Sequence, residues 1–424
     1  MSNTRTDATH NVGVNNNGET NGGAIGGTTG AGFVEFIALT ALMTSLVALS
    51  IDAMLPALPQ IGADLGVTGA NDSQLVISTL FVGLAFGQLL YGPLSDSIGR
   101  KAAIYIGLVL FSAGCIIALF SDDFMTMLAG RLLQGVGVAG PRIVAIAMVR
   151  DQFSGRAMAR VMSFIMSVFI LVPIVAPALG QLIVDIANWR AIFTLFLVLA
   201  IFLSVWFWLR QPETLAKERR LPLSLAQLRL SLREILTHPT ALGYTLVAGI
   251  VFGAFLGYLN SSQQIFQEQY ALGSEFPLYF AMLAGAIGIA SITNTYLVMR
   301  YGMRMLCILS LASIGALSSL YFGIALYFDG HPPLWALMSY LFPVFFGIGL
   351  LFGNLNALAM EPLGHIAGIG AGVVGFISTF ISVPLGVLIG QLFNGTVLPL
   401  VGGFAVLAVL ALCVIRWIDI RSSN

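Results

Sequence analysis

Charge is what this sequence has least of. Only 9% of its 424 residues are Asp, Glu, Lys or Arg, while 58% are apolar, and the mean hydropathy is +0.92. Soluble domains carry about 25% charged residues, so a water-soluble globule is excluded and the chain reads as an integral membrane protein. Its apolar runs are long and unbroken rather than short and alternating, which excludes an outer-membrane-type barrel. Helices remain, because in lipid the backbone must satisfy its own hydrogen bonds. The formal net charge is zero, so nothing points to a nucleic-acid partner. Cysteine is scarce too: Cys115, Cys307 and Cys413 lie far apart in apolar runs, without metal-ligand spacing, and read as small packing residues. Also missing are a Ser/His/Asp constellation at membrane depth, a phosphate-cradling glycine loop and any metal cluster. Neither a membrane enzyme nor an ATP-driven pump is suggested, and no cofactor or metal is expected.

What is there is a series of apolar runs. Residues 1–32 are rich in Asn, Gly and Thr and read as a disordered tail, not a secretory signal, since no basic start runs directly into an apolar stretch. Twelve runs follow, at roughly 33–58, 73–95, 101–120, 123–149, 157–184, 190–209, 240–265, 276–298, 304–327, 332–359, 366–393 and 396–418. The longest polar interval is a linker at 210–239, which separates a six-span unit at 33–209 from a second at 240–418, with a short tail at 419–424. With the N-terminus inside, the inner loops and C-terminus hold fifteen Lys or Arg, from Arg100 to Arg421, whereas the outer loops hold only Arg190. The positive-inside rule then puts both termini in the cytoplasm.

The two units repeat each other. Gly135-Val-Gly137 returns as Gly347-Ile-Gly349, Ala145-Ile-Ala-Met148 as Ala357-Leu-Ala-Met360, Ser163-Phe-Ile165 as Gly375-Phe-Ile377, and Leu179-Gly-Gln-Leu182 as Ile389-Gly-Gln-Leu392. Four matches in order, at offsets of 210 to 212, argue for a duplicated unit. Such duplication predicts a substrate site between the halves near mid-membrane, with one half rocking against the other.

A few charges lie deep. Asp52 sits well inside the first run, where an ion costs about 2.5–3.5 kcal/mol even on lenient scales, so it needs a partner, a proton or water. Arg131 and Arg142 are eleven positions apart and share one face of span 4, within about 20° and about 16 Å along the axis. Lipid would not tolerate that stripe, so it should face a central cavity. Arg131 and Asp52 both lie very roughly 7–10 Å above mid-plane and could meet. Two readings follow: Asp52 carries the proton and competes with substrate while Arg131 tunes it, or the two form a permanent pair that holds the helices. No strongly ionisable residue lies deep in spans 7–12, so coupling chemistry is expected in the first half. Glu35 reads as an interfacial charge, His238 and His365 as solvated loop residues, and Asp151 as a local partner. A mixed wall for amphipathic ligands is expected from Tyr244, Phe252, Phe255, Tyr258, Asn260 and Asn294, with Phe345, Asn354, Asn356, Phe376 and Ser382.

Between spans 2 and 3 lies Gly92-Pro-Leu-Ser-Asp96-Ser-Ile-Gly99-Arg100-Lys101. Two helices must reverse here: Gly92 and Gly99 permit close approach and unusual dihedrals, and Asp96 can bind backbone N–H groups. This resembles the G-x-L-x-D-R-x-G-R-K loop of the major facilitator superfamily, with Ser97 where the family usually has Arg; Arg300-Tyr-Gly302-Met-Arg304 is the reduced counterpart in the second half. Arg131-Leu-Leu-Gln134-Gly135-Val-Gly137 is similar to the family's R-x-x-Q-G-x-G motif. Pro173, Ala176-Pro177 and Gly180-Gln181 resemble its G-P-x-x-G-G motif. With Ile51-Asp52-Ala-Met-Leu-Pro56, Trp189-Arg190-Ala-Ile-Phe193, Pro212-Glu-Thr214 and Ile366-Ala-Gly368, the chain resembles the Bcr/CflA group of bacterial drug:proton antiporters over residues 33–418.

The resemblance implies an all-helical fold of twelve spans in two six-helix bundles, working as a proton-coupled exporter of lipophilic or cationic small molecules in the bacterial inner membrane. It also implies a conformational latch of Gly92, Asp96, Gly99, Arg100, Lys101 and Arg150. Asp52 and Arg131 are the expected coupling pair, and Arg142 reads either as a gating or inner-mouth contact or as a simple helix-end charge. The chain is expected to act as a monomer on protons and a small-molecule substrate. The alternatives are a dedicated metabolite, sugar or siderophore exporter, or a uniporter, on the same scaffold. A receptor or scaffold would need neither a buried charge nor a two-half repeat. A channel would predict a ring-like polar lining.

Overall fold

The computed structural model describes residues 31–422, so the tail expected over 1–32 lies outside the described residues except for Ala31 and Gly32, which open the first helix. Among the described residues, twelve helices are long and apolar enough to cross a membrane. They are α1 (Ala31–Asp52), α2 (Leu75–Ile98), α3 (Arg100–Leu119), α4 (Phe124–Gln152), α5 (Gly155–Ile186), α6 (Trp189–Arg210), α7 (Pro239–Gln263), α8 (Phe276–Tyr301), α9 (Met303–Tyr327), α10 (Leu334–Met360), α11 (Ala367–Gln391) and α12 (Leu398–Ser422). The last helix continues through the first residues of the tail expected at 419–424. Counting spans puts the start of α1 and the end of α12 on one face of the bundle, called here the termini face; the opposite one is the far face.

The helices sort into two lobes. In the first, α4 packs against α1, α2 and α3, α1 against α5, and α3 against α6. In the second, α7 packs against α10, α11 and α12, α10 against α8 and α9, and α9 against α12. The lobes meet chiefly where α2 lies on α11 and α5 on α8. Small residues let the backbones close, as in other membrane helix pairs. A Cβ on Gly83 of α2 would fall on the α4 backbone at Leu132 to Val136, and one on Gly135 would fall on Leu80 and Leu84 of α2.

The outer surface is apolar where lipid would lie, as at Val109, Phe202, Ile292 and Val406. Exposed aromatics ring both ends: Trp208, Tyr301 and Trp417 toward the termini face, Phe120, Tyr327 and Trp335 toward the far face. Amphipathic rings gather at the two membrane–water boundaries. The chain is a multi-pass membrane protein.

Turn chemistry fixes the tight reversals. Gly99 joins α2 to α3 at φ +106°, and Gly302 joins α8 to α9 at φ +76°. These are the same junction in the two lobes, both in the left-handed half of backbone space where glycine is favoured. At the far face Asp123 caps α4, its carboxylate accepting the Thr126 N–H at 2.9 Å and the Thr126 hydroxyl at 2.5 Å. These bonds to the ionised form hold the Asp123 carboxyl below its usual 3.8.

The linker is folded rather than merely polar. Residues Leu225–Thr237 form an amphipathic helix that Ser224 caps at 3.2 Å through the Gln227 N–H. Ser231 and Ile235 are buried, and this linker helix packs against α11 of the second lobe. His365, read as a solvated loop residue, pairs there with Glu234, Nε2 to Oε1 at 2.8 Å.

Candidate functional site

The first span breaks where its carboxylate sits. Pro56 has no N–H to give the Asp52 carbonyl, and a proline ring crowds the carbonyl four residues back. The helix α1 therefore stops at Asp52, and the chain continues as a turn at Leu55–Ala57 and a short helix at Leu58–Asp64. Asp52 is 5% exposed, and among the described residues it has no hydrogen bond or ion pair.

Arg131 does not supply the partner that the shared depth suggested. It is fully buried and three of its five N–H groups are bonded elsewhere: Nε to the Val76 carbonyl at 3.0 Å, one terminal nitrogen to the Ser50 carbonyl at 2.9 Å, the other to Gln134 Oε1 at 2.8 Å. Its guanidinium also lies 5.9 Å from the centre of the Phe193 ring. Arg131 thus ties α4 to α1 and α2 through main-chain oxygens, so the permanent Asp52–Arg131 pair is not what holds these helices. Arg142, on the same helix, is half-buried and has no bonded partner among the described residues.

Across the seam, the second lobe presents an aromatic wall. Phe252, Phe255 and Tyr258 follow each other along α7, with ring centres 6.0 and 6.4 Å apart. Phe345 of α10 meets Tyr258 edge-on at 4.6 Å, and Phe352 meets Phe255 at 5.5 Å. Phe81 of α2 touches Phe252 at 5.5 Å, so both lobes contribute. Tyr258 is 1% exposed, its hydroxyl has no bonded partner, and it lies within electrostatic reach of Asp52.

Between this region and the far face lies a seal of amides and hydroxyls. Gln74 and Gln264 join side chain to side chain, and Asn260 donates to the Ser78 hydroxyl at 2.9 Å. Asn71 donates to the carbonyls of Gln391 and Phe393, both at 2.9 Å, and receives the Gln264 amide at 2.8 Å. Each of these bonds joins one lobe to the other through neutral groups, and beside them Gln391 donates to the Asp72 carboxylate at 3.4 Å. Deeper in, Gln88 reaches Thr379 at 3.2 Å. The Gln and Asn residues of α2 and its lead-in were not singled out in the sequence; their signal was amides placed at the same end of α2, α7 and α11.

The other expected wall residues go elsewhere. Asn260 belongs to the seal. Tyr244 sits beside Arg304, Cys307 and Asp419 inside the second lobe. Asn354 exchanges bonds with Asn294 at 2.8 and 3.3 Å, tying α10 to α8. Asn356 is exposed near the termini face, and Ser382 is buried with its hydroxyl on the Thr379 carbonyl. Phe376 pairs with Phe86 of α2 at 5.8 Å.

The loop after α2 is a charge cluster within the first lobe. Arg100 pairs with Asp96 and with Asp151, the latter at 2.9 Å, and donates to the Ser95 hydroxyl at 2.8 Å. The N-terminus of α3 is occupied by Glu213, which accepts the N–H groups of Arg100 and Lys101 at 2.9 and 3.1 Å. That is a carboxylate on the positive end of a helix dipole, a role expected of Asp96. Lys101 Nζ caps the end of α6 at the Gln211 carbonyl, 2.8 Å away. Gly92 faces α11, where the nearest atom to an added Cβ would be the Gly368 carbonyl at 3.9 Å. Arg150 is exposed and outside this cluster. Glu35 is bound by Arg210 and by the Trp206 indole at 2.8 Å, joining the start of α1 to the end of α6.

Residues 40–386 match the family model of the Major Facilitator Superfamily. The chain belongs to that superfamily. Its similar relatives include the uncharacterized MFS-type transporter YdgK of Bacillus subtilis, 30% identical over 83% of this chain and 87% of the relative. The bicyclomycin resistance protein homolog of Haemophilus influenzae is 28% identical over 89% and 94%. The multidrug resistance protein MdtL of Vibrio parahaemolyticus is 26% identical over 80% and 85%. Among solved structures, the fold is similar to a D-xylose-proton symporter, with TM-score 0.71 at 13% identity over 91% of this chain and 97% of that one. It is also similar to the human organic anion transporter MFSD10, with TM-score 0.66 at 17% identity over 92% and 100%. At such low identities the likeness shows the facilitator fold alone.

Proposed function

We propose that this chain is a proton-coupled exporter of lipophilic or cationic small molecules, working by alternating access in a bacterial inner membrane with both termini cytoplasmic. It is read as a monomeric transporter without a cofactor, not an enzyme. The observation that carries the reading is an unpaired carboxylate at the break in α1, placed behind a seal that joins the two lobes on the far face. The relatives named for multidrug and bicyclomycin resistance support the substrate class, and the excess of basic residues on the termini side supports the orientation.

The residues give the cycle its steps. When the lobes part at the far face, Asp52 takes a proton from that side and becomes neutral. Closing the seal then moves a neutral side chain, sparing the cost of carrying an unpaired ion through low dielectric. On the termini side the carboxyl returns its proton to water, and a cationic substrate takes its place against the carboxylate and the aromatic wall, where ring faces favour positive charge. Proton and substrate thus exclude each other at one oxygen pair, which is antiport. Arg131 keeps the end of α1 in register with α2 and α4 while this happens.

The test is uptake of the lipophilic cation ethidium into inside-out vesicles. Wild-type vesicles should accumulate it on an imposed pH gradient and lose it when a protonophore is added; Asp52→Asn should abolish the gradient-driven component. Accumulation by Asp52→Asn that still follows the gradient would remove Asp52 from the coupling step.

A further inference from the structure

Tyr258 is a group of the second lobe within electrostatic reach of Asp52. Its ring is fixed by Phe345 at 4.6 Å, Phe280 at 5.7 Å and Phe255 at 6.4 Å. Rotation out of the site is therefore blocked, yet its hydroxyl is buried without a bonded partner. Leaving such a hydroxyl unsatisfied costs about 1–3 kcal/mol, and a phenylalanine would fill the same ring space without that cost. The cost is offset if the hydroxyl gains a partner at another stage of the cycle.

The surroundings narrow that partner to one. The elements packed chiefly against α1 are α4, α5 and α6, and the turn at Leu55–Ala57 that follows it packs against α5 and α7. From α4 comes Arg131, each of its three nitrogens placed on Val76, Ser50 or Gln134 and none on Asp52; Arg142 is about three turns below. The charges of α5 lie at its ends, Arg156, Arg160 and Asp185, the last bonded to Gln181 at 2.8 Å. Those of α6, Arg190 and Arg210, also lie at its ends, on Asp64, Asp122 and Glu35. From α7 comes Tyr258, with Tyr244 about four turns below it. Tyr258 is thus the one uncommitted donor that the second lobe offers to Asp52 among the described residues.

We propose that the Tyr258 hydroxyl is a positioning residue that donates to the Asp52 carboxylate when that group is ionised, so that the second lobe reads whether the first holds a proton. The inference rests on Asp52 as the proton carrier. With Asp52 neutral, both groups stand idle, as in the arrangement described here. When the carboxyl gives its proton to water, the carboxylate takes the phenol hydroxyl as donor, and the end of α1 is drawn to α7 until a cationic substrate displaces it. The step is one proton transfer: the O–H bond of the acid breaks, its proton goes to water, and the phenol keeps its own.

The sign follows. A donor to the ionised form favours ionisation, so removing it should raise the proton affinity of Asp52. The experiment measures ethidium-evoked proton release from the purified full-length protein in detergent across a pH series, with ΔpH-driven ethidium uptake in proteoliposomes alongside. Tyr258→Phe should move the release midpoint up by about one pH unit, a tenfold change in proton affinity, with uptake retained at a saturating gradient. Phe255→Leu disturbs the same aromatic stack without touching a hydroxyl, and should change the ethidium concentration dependence while leaving the midpoint in place. A wild-type midpoint in Tyr258→Phe, with Asp52→Asn inactive, overturns the role of Tyr258 and leaves Asp52 standing. An equal midpoint shift in Phe255→Leu overturns it as well, since packing would then be the cause. Proton release that persists in Asp52→Asn overturns both readings together.

Discussion

One terminal nitrogen of Arg131 donates to the Ser50 carbonyl at 2.9 Å, two residues before Asp52, and the guanidinium leaves the Asp52 carboxylate without a bond. A residue that binds the backbone of two neighbouring helices should act through stability. Hydrogen bonds to a charged group are worth about 1.5–3 kcal/mol each, and truncation also leaves the Ser50 and Val76 carbonyls to find other donors. Arg131→Ala should lower the thermal unfolding midpoint in detergent by many degrees. Arg131→Lys should recover little of it, because an ammonium cannot reproduce the planar fork. A normal midpoint in Arg131→Lys, combined with a displaced pH profile of transport, would instead make the charge a tuner of Asp52.

The junction between α2 and α3 offers a contrast of two glycines. Gly99 sits at φ +106°, ψ +157°, where a side chain costs about 1–3 kcal/mol. A Cβ there would strike Arg220 and Glu213, and it would also push Glu213 off the N-terminus of α3. Gly99→Ala should therefore unfold several degrees below wild type. Gly92→Ala, with its nearest neighbour 3.9 Å away, should unfold as wild type does. Equal unfolding temperatures for the two variants would remove the backbone argument.

The spans themselves were legible from hydropathy, since lipid enforces runs of about 20 apolar residues and little else in the chain competes. The two-lobe division was equally visible in the repeats at offsets of 210 to 212. The partners of Arg131 were not, because helical period and depth place two charges at one level but say nothing of main-chain carbonyls freed nearby. Pro56 held the missing clue: a proline four residues after Asp52 ends the helix there. Glu213 lies within the Pro212-Glu-Thr214 motif, far in sequence from the α3 start it caps, so its partners Arg100 and Lys101 are visible only in the fold. The linker helix was hidden by its low hydrophobicity, and its Ser224 cap was the signal. The wall residues were read from composition, which cannot distinguish a tyrosine facing the seam, such as Tyr258, from one committed inside a lobe, such as Tyr244.

Asp123 gives a prediction in acid. Its carboxyl is held below the usual 3.8 by the Thr126 hydroxyl and N–H. A group whose folded value is depressed stabilises the fold above its unfolded value, and that contribution is lost as pH falls through the folded one. Asp123→Ala should therefore lower the unfolding midpoint at neutral pH. The gap to wild type should close on acidification below 3.8. A gap that persists unchanged in strong acid would assign the loss to something other than the ionised cap.

The far-face seal yields the sharpest test of alternating access, because its Gln74–Gln264 bond joins the lobes through neutral groups. Gln74 and Gln264 are 3% and 4% exposed and bonded to each other, so truncating both removes this buried cross-lobe bond together with the Gln264 bonds to Asn71 and the Ala70 carbonyl. A neutral hydrogen bond contributes about 0.5–1.5 kcal/mol net, enough to shift a two-state population by about fivefold. Spin labels at the exposed positions Thr68 and Asn394, one on each lobe, should report this once the exposed Cys413 is replaced by serine. The double variant Gln74→Ala/Gln264→Ala should show a larger share of long distances than its parent. Amides do not titrate, so the size of that shift should be the same in mildly acidic and mildly alkaline buffer. A shift that grows with acidity would place proton chemistry in the seal itself and take it away from the break in α1.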